Sequence, residues 1–263
     1  MTFQYKRVLL VGATSGIGAA MADKLVQEGA KVIAVGRRQE RLDAFVRKHG
    51  AERASSIQFD ITDKAGLDAF VNKVVKDYPD LDSVFLNSGI QGPVRLSKPA
   101  EVDLDAFHGQ IDTNFTSLVN LSIKFLPHLQ AKGYPTSLIV TGTHISLVPA
   151  ITLSAYSASK AALRAFFDCL RRENQGSNVR FIEISPPMVQ SEMHDYIGPD
   201  GGAMGMPVDE FTEKTYAELV QDKEDISIGL PGTTSQETWN QLVQARETAF
   251  TGLSDLLLLN FAK

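Results

Sequence analysis

Short, nearly continuous apolar runs punctuate the chain: "RVLLVG" (7–12), "KVIAVG" (31–36), "SIQFDI" (56–61), "DSVFLNSG" (82–89), "TSLIVTGT" (136–143) and "VRFIEIS" (179–185). Runs of this length, rich in Val and Ile, predict strands. Because they are continuous and do not alternate with polar residues, both faces of the sheet should be covered. Between them lie segments whose apolar residues recur at helical spacing, over 17–28, 38–50, 63–78, 102–132 and 155–174. Strand–helix alternation of this kind predicts an α/β fold with a doubly wound parallel sheet, helices on both faces, and residues 1–263 forming a single domain. After Pro186 the texture changes. The segment 194–211 is rich in Gly, Pro and Met and reads as a mobile loop. A helix follows to about Gln221, then a short strand in "DISIGL". Thr234 with Glu237 three residues later has the pattern of a capping box opening a terminal helix over 234–260.

Composition narrows the function classes. With 263 residues, 43% of them hydrophobic and 22% charged, the chain has material for one large core. The net charge is −5, and no basic run exceeds Arg37-Arg38 or Arg171-Arg172, so no nucleic-acid track is present. The single cysteine, Cys169, excludes an internal disulfide framework; set between Phe167 and Leu170, it is expected to be a buried, inert thiol. The five histidines are scattered without ligand spacing, so no metal site is expected. The N-terminal stretch lacks a secretory pattern, and "LLLL" at 256–259 is too short to span a bilayer. The expectation is a soluble, cytoplasmic protein without membrane contacts.

Two places carry candidate chemistry. The first strand ends in Gly12-Ala-Thr14-Ser15-Gly16-Ile17-Gly18 and runs straight into a helix. Glycines at that junction let backbone approach a pyrophosphate, while the helix start offers free N–H groups to it. In "LSAYSASKAALRAFF" (153–167), Tyr156 and Lys160 stand four residues apart, separated by small residues, and so share a helix face. Alone, the pair fits an interfacial tyrosine beside a solvated lysine as well as an acid–base pair in which the cation lowers the phenol's pKa.

The G-x-x-x-G-x-G spacing at 12–18 together with Tyr156-x-x-x-Lys160 resembles the short-chain dehydrogenases/reductases, in their single-domain, Rossmann-like branch, over roughly residues 5–192. The resemblance implies NADP(H)- or NAD(H)-dependent interconversion of a carbonyl and an alcohol. In that reading Tyr156 is the proton donor and acceptor, Lys160 lowers its pKa and binds the nicotinamide ribose, and Asn114 holds a water in a proton relay. Thr143 stands thirteen residues before Tyr156, where the family has a serine that polarises the substrate carbonyl. Asn87, Ser88 and Gly89 resemble the family's Asn-Ala-Gly along the cofactor, and Asp60-Ile61 the pair that meets the adenine. Outside the family context, Asn114 reads equally as a surface polar group or a kink, and Asp60 as a strand-end cap. Pro186, Val189 and Ser191 fall where the family meets the nicotinamide carboxamide and the diphosphate. Two departures stand out: Val11 replaces a threonine, and Pro187 a glycine.

At the end of the second strand, where NAD-preferring members carry an acidic residue, stands Gly36, followed by Arg37 and Arg38. Paired guanidinium donors suit a 2′-phosphate, so NADP(H) is the expected cofactor. The expected substrate is a small, apolar carbonyl or alcohol, bounded by the 91–100 loop, the 144–153 segment and a substrate loop and helix over 193–222. A non-catalytic NADP-binding sensor and an imine or enoyl reductase remain alternatives. Family helices corresponding to 102–132 and 155–174 pair across a two-fold axis, which implies a homodimer or homotetramer.

Overall fold

The computed structural model describes residues 3–198 and 200–261. Pro199, within the predicted substrate loop, lies outside them, as do the two residues at each terminus. The chain divides into two units, Met1–Ile228 and Gly229–Lys263.

The first unit is built on a sheet of seven parallel strands in the order β3-β2-β1-β4-β5-β6-β7. These are β1 (Arg7–Val11), β2 (Lys31–Gly36), β3 (Ala54–Gln58), β4 (Ser83–Leu86), β5 (Thr136–Thr141), β6 (Val179–Ser185) and β7 (Asp225–Ser227). Side chains alternate across each strand, and the two faces have separate cores. On one face Val8, Leu10, Val32 and Ala34 pack with α1 (Gly16–Gln27), α2 (Gln39–His49) and α7 (Val208–Val220). On the other, Leu9, Val11, Ile33, Val35 and Val84 pack with α3 (Leu67–Asp77), α5 (Ser117–Gln130) and α6 (Ser154–Glu173). The fold is the expected doubly wound α/β sheet. Chain direction reverses its progress across the sheet at β1, which pairs with both β2 and β4. The crevice beyond the strand ends at such a switch point is where this architecture binds ligands.

Several boundaries differ from the sequence pattern. The predicted helix over 102–132 is two helices, α4 (Leu104–Ile111) and α5, joined by a π-helical turn at Asp112–Thr116. A π-turn inserts one residue without changing the apolar spacing enough to be read. Helix α3 starts at Leu67 because Asp60 and Asp63 cap local turns: Asp60 accepts from the Thr62 N–H at 3.0 Å and Asp63 from the Gly66 N–H at 3.0 Å. Cys169 is exposed; Phe167 and Asp168 occupy the inward face of α6, and one further residue turns the thiol outward. Leu118, Leu121, Phe125 and Phe167, on the helices that the family resemblance pairs across a two-fold axis, all lie in the core of this unit.

The second unit consists of the long helix α8 (Gln236–Phe261) and the turn before it. Its cap is Ser235, one residue later than predicted: the Ser235 Oγ accepts from the Thr238 N–H at 3.1 Å. The Thr234 N–H is spent on the Pro231 carbonyl at 3.1 Å. Among the described residues no helix is long and apolar enough to cross a membrane.

Phe125 anchors the α3–α5 side of the core. It is fully buried and meets Phe70 edge-on at 6.1 Å, with Phe59 stacked on Phe70 at 4.2 Å. Phe125→Ala is expected to cost about 3–5 kcal/mol, read as a lowered midpoint in urea unfolding with little change in slope.

Candidate active site

The C-terminal ends of β1, β4, β5 and β6 converge on one crevice. At β1, the N–H groups of Gly12 and Ala13 both donate to the Val35 carbonyl, at 2.8 and 3.0 Å, which turns the chain sharply across the sheet end. Gly12 has φ +91, and a Cβ there would sit 2.6 Å from the Ser88 nitrogen, so only glycine fits. A Cβ on Gly18 would overlap the Gly12 carbonyl oxygen and crowd Asn87 Nδ2. Helix α1 therefore begins pressed against the turn. Ser15, its N-cap, makes no side-chain capping bond, and the N–H groups of a first helical turn lack partners within the helix. Together these form a cradle of backbone donors at a positive helix end, which fits a dinucleotide pyrophosphate. Ile17 packs on the adjoining core, and Ser191 lies over Gly16.

Asn87 ties the strand ends together. Its Nδ2 donates to the Gly12 carbonyl at 3.2 Å, and its Oδ1 accepts from the Thr141 hydroxyl at 2.8 Å. Gly89 lies close to Asn114 Oδ1 and Lys160 Nζ. Ile61 is nearly buried. The Asp60 carboxylate lies 3.8 Å from Arg37; burial raises its pKa, but bonds from Thr62 and the charge of Arg37 outweigh this and leave it lowered. Beyond β6, Pro186 is buried, and Val189 bridges to Met206.

The arginines are divided. Arg37 is 67% exposed at its side chain. Arg38 reaches the glycine turn, donating to Thr14 Oγ1 at 3.2 Å and Ser15 Oγ at 2.5 Å, while Arg41 donates to the Thr14 carbonyl at 2.9 Å. Glu192 accepts from both guanidiniums at 2.6 Å. Bonds from Arg41 first, then Arg38, hold its carboxyl down at about 2. Arg41 and Glu192 have no signature in the sequence, although Arg41 lies one turn beyond Arg38 along α2.

The third group stands on α6 and β5. Tyr156 and Lys160 are buried on the same face of α6. The Lys160 ammonium donates to the Thr141 carbonyl at 2.8 Å and lies 5.9 Å from the centre of the Tyr156 ring. Burial pulls its pKa down to about 8, partly opposed by the charge of Glu183. Burial likewise pushes the Tyr156 phenol up to about 12, against a hydrogen bond from Thr143 that lowers it. The phenol thus moves opposite to the sequence expectation: in a site this enclosed, desolvation of the phenolate outweighs a cation above the ring.

Asn114 in the π-turn grips the backbone of Ile90 with both ends of its amide. Oδ1 accepts from the Ile90 N–H and Nδ2 donates to its carbonyl, each at 2.8 Å. The same Nδ2 reaches Ser159 Oγ at 3.1 Å, and Ser159 donates to the Tyr156 carbonyl at 2.7 Å. Ser159, which the sequence presents only as a small spacer, links the π-turn to α6. Thr143, Tyr156, Lys160 and Asn114 are thus brought together, next to a cradle that fits a dinucleotide. A buried phenol beside a hydroxyl donor and an ammonium can hand a proton to an oxygen bound between them.

The short chain dehydrogenase family model matches residues 6–201. The chain is 34% identical over 186 residues to serine 3-dehydrogenase of Agrobacterium fabrum, covering 70% of this chain and 72% of that protein. It is 29% identical over 205 residues to the (S)-benzoin-forming benzil reductase of Saccharomyces cerevisiae, covering 76% and 78%. A short-chain dehydrogenase from Sphingobium yanoikuyae, solved in complex with NADPH, superposes with a TM-score of 0.78 at 23% identity, over 94% of this chain and 95% of that one. The chain belongs to the short-chain dehydrogenase family of oxidoreductases.

Proposed function

We propose that the protein is an NADP(H)-dependent carbonyl reductase acting on small apolar ketones or aldehydes. The observation that carries this reading is the enclosed Tyr156–Thr143–Lys160 cluster beside the glycine cradle. The nicotinamide, when bound, supplies the hydride. The chain's own residues do the rest. Thr143 donates a hydrogen bond toward the substrate oxygen, and Tyr156 gives that oxygen its proton. A phenol raised by burial to about 12 stays protonated throughout the neutral range, so Tyr156 carries the proton that reduction requires. Lys160 keeps positive charge next to the phenol and, in this reading, binds the nicotinamide ribose. Asn114, fixed by Ile90 and Ser159, holds the relay behind the lysine.

Preference for the 2′-phosphate rests on two features. Gly36 offers no carboxylate to a ribose hydroxyl, and a Cβ there would crowd Thr14. Arg38 and Arg41 stand at the glycine turn with Ser15 between them and α1. Arg38, with its bonds to Thr14 and Ser15, is the principal ligand, and Arg37 with Asp60 borders the adenine. The apolar substrate reading is supported by exposed Val148, Ile151, Tyr196, Ile197 and Met204 on the segments expected to bound the substrate. The Val94 N–H donates to the Thr152 carbonyl at 2.6 Å and joins the 91–100 and 144–153 segments. The yeast benzil reductase, named for an aryl diketone, points the same way.

Tyr156→Phe is expected to lower kcat for NADPH-dependent reduction of an aryl diketone by about 10²-fold or more, while NADPH affinity by fluorescence titration stays within about twofold. Retained turnover would remove Tyr156 from the proton-transfer role. Arg38→Ala is expected to weaken NADPH about ten- to a hundredfold, the value of a charge-assisted contact of roughly 1.5–3 kcal/mol, with NADH little affected. Isothermal titration with both cofactors checks this, and equal losses would place the 2′-phosphate elsewhere.

A further inference from the structure

Lys160 is 3% exposed, and its ammonium makes a hydrogen bond to a neutral carbonyl, Thr141, at 2.8 Å. A buried ammonium without a nearby counter-charge is strongly disfavoured. A buried carboxylate whose charge acts on Lys160 is that of Glu183 on β6, itself 2% exposed. Strand β6 pairs with β5 in a register that sets Val140 opposite Glu183 and Thr141 opposite Ile184. Glu183 reaches forward from there: a Cβ on Gly142 would overlap its Oε1, so the carboxylate fills the space a side chain would occupy. Thr141 and Gly142 share one peptide bond. Lys160 holds that peptide at its carbonyl oxygen, and Glu183 lies against its other end, at the Gly142 Cα. Arg164, one turn beyond Lys160 on α6, lies 3.5 Å from Glu183 Oε1, with its side chain 13% exposed. That is a loose pair, and Glu183 Oε2 is buried without a hydrogen-bond partner. The carboxylate's charge is thus only partly used by Arg164.

We propose that Glu183 is a positioning residue for the reaction: its buried carboxylate is the counter-charge that holds Lys160 as an ammonium against the Thr141 carbonyl, with Arg164 keeping Glu183 itself ionised. The proposal rests on the acid–base reading of Tyr156 and Lys160 given above. Burial raises the pKa of the Glu183 carboxyl; Arg164 opposes that rise most strongly, Asp168 on α6 and Asp225 on β7 add to it, and Arg171 on α6 opposes it. His144, near Arg164, is kept neutral by burial, with its pKa down at about 4. Tyr156 and Tyr196 are uncharged in the neutral range, both raised by burial. The sign follows directly. A carboxylate beside Lys160 favours its charged form, so neutralising Glu183 must let Lys160 lose its proton at lower pH.

Lys160 titration can be followed without relying on turnover, by NMR of isotope-labelled lysine side chains, with the Lys160 signal assigned by its loss in Lys160→Arg. Glu183→Gln is expected to move the Lys160 midpoint down by about one pH unit, and Glu183→Asp, which keeps the charge, by much less. The alkaline limb of kcat/KM for NADPH-dependent reduction should move the same way. If Glu183→Gln does not fold, Glu183→Gln/Arg164→Met replaces the ion pair with neutral groups of similar shape and is expected to show the same downward shift. A Lys160 midpoint unchanged in the Gln variants, or moved equally by Glu183→Asp, overturns the assignment. Failure of the underlying reading is distinct: it would appear as full turnover in Tyr156→Phe, whatever the titration shows.

Discussion

Burying an ammonium is the constraint around which the site is organised. Lys160 sits where water cannot solvate it, so each neighbour supplies part of what water would have provided. The Thr141 carbonyl takes a hydrogen bond from it, and the Tyr156 ring lies alongside. That requirement reaches into the sheet. Thr141 must end β5 with its carbonyl directed at α6 while its hydroxyl reaches Asn87, and Asn87 in turn closes on Gly12. One short chain of hydrogen bonds therefore joins the lysine to the glycine cradle through the ends of β5, β4 and β1. In the proposed chemistry, this makes the proton donor and the cofactor turn parts of a single rigid layer, which is the preorganisation such a reaction needs.

A second brace comes from the opposite side. The π-turn lets Asn114 point inward at a position where a regular α-helix would have rotated it away, and its amide then replaces a strand partner for Ile90. Through Ser159 the same amide fixes the carbonyl of Tyr156. The start of α6 is thereby held from both ends, by Asn114 through Ser159 and by Thr141 through Lys160. Over the cradle, Glu192 draws Arg38 and Arg41 together, so the guanidiniums are already gathered beside Thr14 and Ser15.

The parts of this arrangement that were legible in the sequence are those written in side-chain periodicity and type. Continuous Val/Ile runs gave away the doubly covered strands, and the four-residue spacing of Tyr156 and Lys160 gave away their shared face. Other parts leave no such trace. The one-residue insertion at Asp112–Thr116 is too small to disturb the apolar pattern of 102–132. The acceptor for Lys160 is a backbone carbonyl, which every residue has. Ser159 was hidden by being small, and Glu192 by its distance along the chain from Arg38. Cys169 was misjudged because its apolar neighbours Phe167 and Leu170 say nothing about a position rotated between them. The direction of the Tyr156 pKa could not be read either, since sequence shows the cation four residues away and conceals how completely the phenol is enclosed.

The central claim is that this enclosed layer delivers a proton to a carbonyl oxygen while hydride arrives from a reduced nicotinamide. The most direct measurement is a single-turnover reaction with NADPH carrying deuterium at the transferred position of C4 and an aryl diketone as substrate, analysed by mass spectrometry and NMR. The account predicts deuterium on the new carbinol carbon, in one stereochemical sense, with one NADPH consumed per alcohol formed. NADPH bound in the cradle with no deuterium appearing in any product, across ketone and aldehyde substrates, would contradict it.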